Sequence, residues 1–386
     1  MARRVYLHVG TMKSGTTYLQ TLFDDNKKML AERNLLWQRT GNNHKAVLAF
    51  GGAPRMAGRS RRPWQDFKQL VSDHHGDALI SSEFLGPFRA PKAERFVAAL
   101  GSPEVHVIIT ARDLTRIVPS HWQETTQNKG TTTWQDWVAR VCRGPEERAP
   151  DFRFWAHQDL PTIVRHWSQV VPEGPVYLVT VPKDRDDPEL IWRRFASVLG
   201  VPPEAARPPR SGNPALGAVS AELMRRVNCE VADLDFEKYS RGFKFALAKH
   251  TLVSLAADEP RPVLAPEEYS RLREIALTMV KSLAESGVTV VGSLDDLVPD
   301  DGPPGPPFDP AVASDRDLLA AAIGGLVGLA KKTGEQAAEL ERVRRQNAQL
   351  KKKLASRPPA GAPPGGDPAG GVTVRLRKAL RSLQRH

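Results

Sequence analysis

The architecture of the chain follows from one segment near its start, Val5-Tyr-Leu-His-Val9 followed by Gly10-Thr-Met-Lys-Ser-Gly-Thr-Thr17. The first five residues form a short apolar run typical of a buried parallel strand, and residues 16–32 have the apolar spacing of a helix. Glycine lets the backbone approach a ligand closely, and the first turn of a helix directs unpaired N–H groups and a positive dipole outward. The segment therefore predicts a phosphate-binding loop.

The loop matches the nucleotide P-loop pattern only in part. Gly10 and Gly15 keep its four-residue spacing, but Thr16 stands where that pattern has its lysine, and the lysine is moved back to Lys13. In an ATPase the lysine reaches the β- and γ-phosphates, and the next hydroxyl binds Mg²⁺. The displaced lysine favours a shorter anion bound without metal. The alternative is a glycine-bearing turn that binds nothing.

The same alternation of apolar runs and helical spacing continues along the chain. Strands are predicted at 78–81, 105–111, 176–181 and 288–291, and helices at 189–199, 214–231 and 266–286. Alternating strands and helices build a parallel sheet that helices cover on both faces. The prediction is an α/β fold with a P-loop-like central parallel sheet flanked by helices, in which residues 214–287 form a mainly helical extension.

Two motifs resemble the sulfotransferases that use 3′-phosphoadenosine 5′-phosphosulfate (PAPS). That family has a Lys-x-Gly-Thr-Thr loop, here Lys13-Ser-Gly-Thr-Thr17, and a strand-end arginine with a serine eight residues later, here Arg112-Asp-Leu-Thr-Arg-Ile-Val-Pro-Ser120. The resemblance covers residues 3–299 and implies the P-loop sulfotransferase fold with PAPS as donor. Leu114 stands where the family usually has proline after the Arg-Asp pair, and Pro119 comes later.

The resemblance implies a donor site with two ends. The residues expected to bind the 5′-phosphosulfate are Gly10, Thr11, Lys13, Ser14, Gly15, Thr16 and Thr17, and those expected to bind the 3′-phosphate are Arg112 and Ser120. Arg112 ends a predicted strand, Asp113 can cap the next helix, and Ser120 follows two turns later, so both can converge on one phosphate. The alternative for Ser120 is an ordinary helix-surface serine. Thr180 and Val181 also end a strand, but position alone does not assign the adenine to them.

A base for the acceptor proton is expected near the loop, because sulfuryl transfer needs in-line geometry, a stabilised leaving phosphate and a base. Glu83 follows the strand 78–81, at the edge of the sheet where ligands bind. It resembles the strand-end glutamate that serves as base in the heparan-type branch of the family; a solvent-facing or lysine-paired glutamate is the alternative. His44 and His121 are rival bases, and each can also be a hydrogen-bonding or surface histidine. Lys13 would neutralise charge on the bridging oxygen.

These observations predict a PAPS-dependent sulfotransferase that acts on a hydroxyl of a carbohydrate, glycolipid or other metabolite. The fold does not specify the acceptor. Two other functions stay open: a P-loop kinase or other phosphoryl transferase that uses ATP and Mg²⁺, and an inactive scaffold that displays a coiled coil. The presence of Lys13, Thr16, Thr17, Arg112 and Glu83 together counts against the scaffold.

Composition and charge exclude several classes. The 386 residues are 40% hydrophobic and 26% charged, which excludes a wholly disordered chain. Of the net charge of +11, +10 lies from residue 331 onward (14 Lys and Arg against 4 Asp and Glu), so no nucleic-acid partner is expected for the near-neutral remainder. Cys142 and Cys229 are too few for a disulfide framework, and no metal site is expected. Without a signal-peptide core or spanning segment, a cytoplasmic protein is expected.

The residues beyond 299 are expected to form appendages. They comprise a Pro/Gly linker at 300–310, a helical segment at 311–356, a second Pro/Gly linker at 357–371 and a basic amphipathic helix at 372–386. Leu340, Val343, Asn347, Leu350 and Leu354 are spaced by three and four residues, which is typical of a short coiled coil and compatible with a homodimer. The last helix is expected to contact an anionic membrane at its inner face or an acidic partner. The alternative is a solvated, partly disordered tail.

Overall fold

A computed structural model describes residues 1–51, 61–101, 104–147, 149, 151–172, 174–184, 186–209 and 215–355. Its centre is a six-stranded sheet in the order β2-β3-β1-β4-β5-β6, parallel at every pairing. The strands are β1 (Arg4–His8), β2 (Leu35–Trp37), β3 (Asp77–Ser81), β4 (Glu104–Ala111), β5 (Val176–Thr180) and β6 (Thr289–Val291). The predicted α/β class is confirmed. The three-residue strand β2 was not predicted, whereas the equally short β6 was predicted at 288–291.

Helices connect the strands and cover the sheet. They are α1 (Thr16–Asp25), α2 (Lys27–Glu32), α3 (Thr40–Gly51), α4 (Arg62–Asp73), α5 (Ala90–Leu100), α6 (Leu114–Gln127), α7 (Trp134–Cys142), α8 (Phe154–Gln158), α9 (Leu160–Val170), α10 (Leu190–Leu199), α11 (Ala218–Glu230), α12 (Phe236–Tyr239), α13 (Pro266–Ala284) and α14 (Asp315–Ala355), with a π-helix at Ser240–Lys249. The helix predicted at 16–32 is interrupted at Asn26, whose side-chain amide donates to the Leu22 carbonyl and whose side-chain oxygen accepts the Arg207 amide, each at 2.8 Å.

Both faces of the sheet are buried, as the alternation along β1 shows. Val5 and Leu7 belong to the larger core, which α5, α6, α9 and α13 cover, whereas Tyr6 belongs to the smaller core under α1 and α10. Side chains alternate between the two faces of a strand, so a strand buried on both sides reads as a continuous apolar run. That run is the feature that made the strand predictable.

The order of the strands places β1 in the middle of the sheet, between β3 and β4. The chain leaves β1 through α1 toward the β3 side and returns to the β4 side later. In parallel sheets the crevice at the carboxyl ends of the strands, where the order reverses, is the usual ligand site. The loop at 10–17 follows β1 at this position.

The first compact unit runs from Met1 to Leu329 and so extends beyond the boundary expected at Pro299. The segment predicted as a linker at 300–310 contacts the body, because Phe308 forms an antiparallel bridge with Val263. The start of α14 is also part of this unit, since Leu318 and Ala321 are buried against Val219.

The second unit begins at Ala330 and is described as far as Ala355, all of it helix. The linker predicted at 357–371 and the basic helix predicted at 372–386 lie outside the described residues. Nowhere in the described ranges does a helix combine the length and apolar character needed to cross a membrane.

Candidate functional site

The loop between β1 and α1 has three residues in the left-handed backbone region. The φ angles of Gly10, Lys13 and Gly15 are 106°, 65° and 82°. The left-handed region costs free energy for a lysine, and such strain concentrates at ligand sites. A Cβ at Gly15 would clash with the Ile191 side chain, and one at Gly10 would lie 3.2 Å from the Cα of Glu83. These two glycine positions therefore leave no room for a side chain.

Hydroxyl groups of the loop stabilise it by donating hydrogen bonds to backbone carbonyls. The hydroxyls of Ser14 and Thr16 both donate to the Thr11 carbonyl, at 2.6 and 3.0 Å. Thr11 and Ser14 are buried, and the Thr11 hydroxyl donates to the Thr110 carbonyl at 3.3 Å. Of the residues predicted to bind the phosphosulfate, Lys13, Gly15, Thr16 and Thr17 line the cleft above the loop, whereas Gly10, Thr11 and Ser14 do not.

That cleft has a volume of about 1270 Å³ and is the meeting point of the predicted motifs. Besides the loop, its lining includes Glu83, Arg112 and Ser120, together with the rival bases His44 and His121. Residues far apart in the sequence therefore surround one space. This arrangement follows from the strand order, because β3, β1 and β4 are neighbours and their carboxyl ends lie side by side.

Lys13 extends from the loop toward α6. Its Nζ lies 3.8 Å from an oxygen of Glu124, and the other oxygen of Glu124 accepts a hydrogen bond from Lys244 at 3.3 Å. Burial lowers the pKa of Lys13, and the charge of Glu124 opposes that decrease. A partly desolvated ammonium group of this kind gains from any additional anion placed beside it.

The second end of the cleft lies at the start of α6. Asp113 caps this helix by accepting the Arg116 amide at 3.2 Å, as the sequence predicts. Arg112 and Ser120 line both the cleft and an adjoining cavity of about 320 Å³. The Ser120 hydroxyl donates to the Arg116 carbonyl at 3.2 Å. This bond is local to the helix, so it satisfies the hydroxyl without any ligand.

Arg261 joins Arg112 and Ser120 in both cavities, and sequence reasoning missed it. Within the described part of the chain, Arg261 has no hydrogen bond or ion pair. A guanidinium group presents several donors in a fixed fork that suits phosphate. Because Arg261 lies in an irregular segment before α13, no sequence period could have indicated that it reaches this place.

Glu83 is hydrogen-bonded to two side chains from other elements. One of its carboxylate oxygens lies 3.1 Å from Nε2 of His44 on α3 and 3.4 Å from the side-chain amide of Gln20 on α1. Burial raises the pKa of Glu83, but the hydrogen bonds from His44 and Gln20 and the charge of His44 outweigh burial and lower the pKa to about 2. The carboxylate is therefore stable as an anion and accepts a proton poorly.

A buried polar network connects this carboxylate to the loop. Gln20 also donates to the Ser81 hydroxyl at 3.1 Å, and Ser81 lies 2.8 Å from Nδ1 of His8. Nε2 of His8 lies 3.1 Å from the Thr110 hydroxyl, which contacts Ser14 at 2.7 Å. Burial lowers the pKa of His8 to about 4, so its ring is neutral and carries one donor and one acceptor. Gln20 was not predicted, although its position one turn after Thr16 was a usable signal.

The rival base His121 has different surroundings from His44. Its ring packs against Trp137 and Phe154, with centroid distances of 5.5 and 5.2 Å. Burial, followed by the nearby charges of His157 and Lys13, lowers the pKa of His121 to about 3. A ring held neutral so strongly is a poor proton acceptor, and no hydrogen bond from a described residue orients its Nδ1.

The strand end at Thr180 serves a structural purpose. The Thr180 hydroxyl donates to Asp296 at 2.7 Å, and Arg194 donates to the Thr180 carbonyl at 2.7 Å. Thr180 is fully buried and is absent from the lining of both cavities. Its position at a strand end is therefore used to hold β5 and α10 to the segment after β6.

Comparisons of the chain with protein-family models, with curated proteins and with solved structures give no match.

Proposed function

We propose that the chain transfers a sulfuryl group from PAPS to an acceptor hydroxyl in the cleft above β1 and β4. One observation carries the proposal: the strained, lysine-bearing loop, the arginine-serine pair at the start of α6, and the His44–Glu83 pair all line one cleft. PAPS has two separate anionic groups and reacts with a hydroxyl that must lose a proton. Two cationic ends and a proton acceptor in one space match those requirements.

The loop end suits the phosphosulfate. The first-turn amides of α1 have no partners inside the helix, and they point toward the carboxyl end of β1. Lys13 adds a positive charge whose present partner, Glu124, is 3.8 Å away. Thr17, which is exposed in the cleft, supplies a free hydroxyl position at the same turn.

The α6 end suits the 3′-phosphate. Arg112 and Arg261 supply two guanidinium groups. Together with Ser120, they line both the cleft and the adjoining cavity. Two arginines can together satisfy most oxygens of a phosphate, which gives this end its selectivity for a doubly charged group.

In the reaction, the acceptor oxygen forms a bond to sulfur while the bond between sulfur and the bridging phosphate oxygen breaks. The electron pair of that bond stays on the bridging oxygen, and adenosine 3′,5′-bisphosphate leaves. PAPS supplies the activated sulfuryl group. Lys13 neutralises the charge that develops on the bridging oxygen, and the acceptor proton passes to the His44–Glu83 pair.

Within that pair, the geometry favours His44 as the proton acceptor and Glu83 as its positioning partner. The Glu83 carboxylate already accepts hydrogen bonds from His44 and Gln20, so it is held in place against the imidazole ring. A carboxylate at 3.1 Å from an imidazole nitrogen instead orients the ring and stabilises the imidazolium form. This assignment reverses the order of preference that the sequence suggests.

Two substitutions test the pair. With His44 as base, His44→Gln should lower kcat by about 10²–10⁴-fold. Glu83→Gln should also abolish turnover while the protein stays folded. His75→Gln, an exposed histidine outside the cleft, is the matched control and should be silent. Near-wild-type rates in Glu83→Gln would remove Glu83 from the mechanism, and near-wild-type rates in His44→Gln would do the same for His44.

The function itself is tested with the donor. Adenosine 3′,5′-bisphosphate, in the presence of EDTA, should raise the melting temperature, because a ligand that binds only the native state stabilises it. Labelled sulfate should pass from PAPS to a component of a cell extract, and mass spectrometry of the labelled product would identify the acceptor. Stabilisation by ATP with Mg²⁺ alone would instead favour the kinase. No calorimetric affinity for the bisphosphate in folded protein would end the sulfotransferase assignment.

A further inference from the structure

Helix α14 has exposed apolar side chains on the side that faces away from the body. Leu319, Ile323 and Leu326 are 62%, 53% and 67% exposed, whereas Leu318 and Ala321 are buried. Large apolar side chains that recur at helical spacing on a surface indicate an interface rather than isolated exposure. The structure thus shows which apolar side chains near the start of α14 are exposed, and the sequence alone does not.

The open positions follow the period of a coiled coil. The upstream members are Leu319, Ile323, Leu326, Ala330, Thr333 and Ala337. They are separated by steps of three and four residues and continue into the pattern from Leu340 to Leu354. From Leu319 to Leu354 there are 35 residues in ten steps, a mean of 3.5, which is the coiled-coil repeat. Each member from Leu319 to Leu350 is exposed.

One irregularity interrupts the repeat. Ala337, Leu340 and Val343 are separated by two consecutive steps of three residues. Such a stammer overwinds a coiled coil locally without ending it. The complete pattern, called here the α14 seam, is therefore far longer than the two heptads at 340–354, which alone would be marginal.

The polar residues of the α14 seam point to a second copy of the same chain as the occupant. With Leu340 and Asn347 at equivalent core positions, an Asn347 in each chain faces its counterpart only in a parallel, in-register pair, and a single core asparagine favours that arrangement. In the same register, Glu339 of one chain flanks Arg344 of the other. Opposite charges thus meet twice across the two-fold axis. The polar side chains of Thr333 and Asn347 in the α14 seam would not favour binding to a lipid surface.

We propose that two copies of this chain associate in parallel through the α14 seam, beginning at Leu319. The proposal does not depend on the proposed enzymatic function.

Sedimentation equilibrium of the full chain tests the association. The wild type should have twice the 42.6 kDa chain mass at micromolar concentration. Leu326→Glu and Leu340→Glu should each raise the dimer Kd at least about 100-fold, because a charge replaces a desolvated core side chain in both chains. Leu277→Glu is the matched control, since Leu277 is 42% exposed on α13 and lies outside the seam. Circular dichroism would confirm that each variant is folded.

Direction and register need their own measurements. Val343→Cys, in a background of Cys142→Ser and Cys229→Ser, should oxidise to a covalent dimer only when the helices are parallel. Glu339→Arg should weaken the dimer, and adding Arg344→Glu should restore it.

A monomeric wild type would overturn the proposal, and so would a dimer that Leu340→Glu leaves intact. A response to Leu340→Glu without one to Leu326→Glu would refute the start at Leu319. Failure of Val343→Cys to cross-link an intact dimer would refute the parallel arrangement. Seam-dependent sedimentation with anionic vesicles, from a protein that is monomeric in solution, would show that the occupant is a membrane.

Discussion

The two cationic ends of the cleft are built in different ways. At the loop end, the backbone itself forms the site: Gly10, Lys13 and Gly15 adopt positive φ angles, and the hydroxyls of Ser14 and Thr16 are used inside the loop. At the α6 end, long side chains form the site, and Arg112 and Arg261 reach a shared space from separate segments. Ligand binding at the loop end should therefore be lost when the loop backbone is perturbed. Binding at the α6 end should weaken stepwise as arginine charges are removed.

Acid should produce the largest effect, because both ends rest on neutral buried histidines. Burial lowers the pKa of His8 and His157 to about 4, and burial with nearby charges lowers that of His121 to about 3. The unfolded chain takes up these protons first, at its ordinary histidine pKa of about 6.5. Stability is thus complete above pH 6.5 and decreases as the pH falls toward 4, by roughly 3 kcal/mol per histidine.

Urea denaturation from pH 7 to 5 measures this loss where most carboxylates remain ionised. His8→Asn should reduce the pH dependence of the free energy of unfolding by the amount that His8 contributes to it. A free energy of unfolding that stays constant over this range would contradict the burial of all three rings.

Gly15→Ala should abolish measurable binding of adenosine 3′,5′-bisphosphate. The new side chain would be strained at φ 82°, and its Cβ would displace the end of the Ile191 side chain. Isothermal titration calorimetry measures the loss. Gly334→Ala is the control, because Gly334 has an ordinary φ and open space around it. Retained affinity in Gly15→Ala would show that the loop backbone is not the binding element.

Lys13→Ala should lower kcat about 10²–10³-fold, the usual cost of losing one group that stabilises developing charge. Its effect on the Kd for adenosine 3′,5′-bisphosphate should be smaller, because the charge on the bridging oxygen peaks in the transition state. Steady-state kinetics with PAPS separates the two. Lys28→Ala, on an exposed helix surface, is the control. Equal losses in kcat and affinity would indicate a simple binding role.

Arg112→Ala should weaken the binding of adenosine 3′,5′-bisphosphate by roughly 100-fold, the size expected for one charge-assisted contact to phosphate. Arg261→Ala should have a similar effect. Neither variant should alter the affinity for adenosine 5′-phosphosulfate, which lacks the 3′-phosphate. If both nucleotides lose affinity equally, the two ends of the cleft are not separate sites.

Ser120→Ala should change the same Kd by only a few-fold. The Ser120 hydroxyl already donates its hydrogen to the Arg116 carbonyl. It can therefore contact a ligand only as a hydrogen-bond acceptor, or as a donor after the hydroxyl has rotated away from that carbonyl. A loss as large as that of Arg112→Ala would mean that Ser120 rotates fully onto the ligand.

The sequence predicted the parts of this molecule that depend on local patterns. Buried strands of four or more residues were found because both faces are apolar, and Asp113 was found because a cap is a local feature. The loop was found because its glycines and lysine lie within eight residues. β2 was missed, although the equally short β6 was found. The break at Asn26 was missed because it depends on a distant group, the carbonyl of Arg207.

The sequence indicated several residues that line the candidate cleft, but it did not indicate Arg261 or the contacts that each residue makes. No local pattern reveals that Ser14 and Thr16 turn inward, that Glu83 is held by Gln20 and His44, or that Arg261 arrives from outside the sheet. The bonds from Ser14 and Thr16 to the Thr11 carbonyl lie within the loop and depend on its backbone conformation. The contacts of Glu83 and the position of Arg261 depend on the tertiary fold, and the low pKa of Glu83 follows from its contacts with His44 and Gln20.

The antiparallel bridge from Phe308 to Val263 and the burial of Leu318 and Ala321 decide where the chain can be shortened. A cut at Asp300, which the proline-rich composition invites, would strip an edge contact from the segment that carries Arg261 and uncover Val219. A cut after Leu329 would keep both. Truncation experiments on the tail would therefore be best placed beyond that leucine, so that a lost property reports on the tail and not on a damaged first unit.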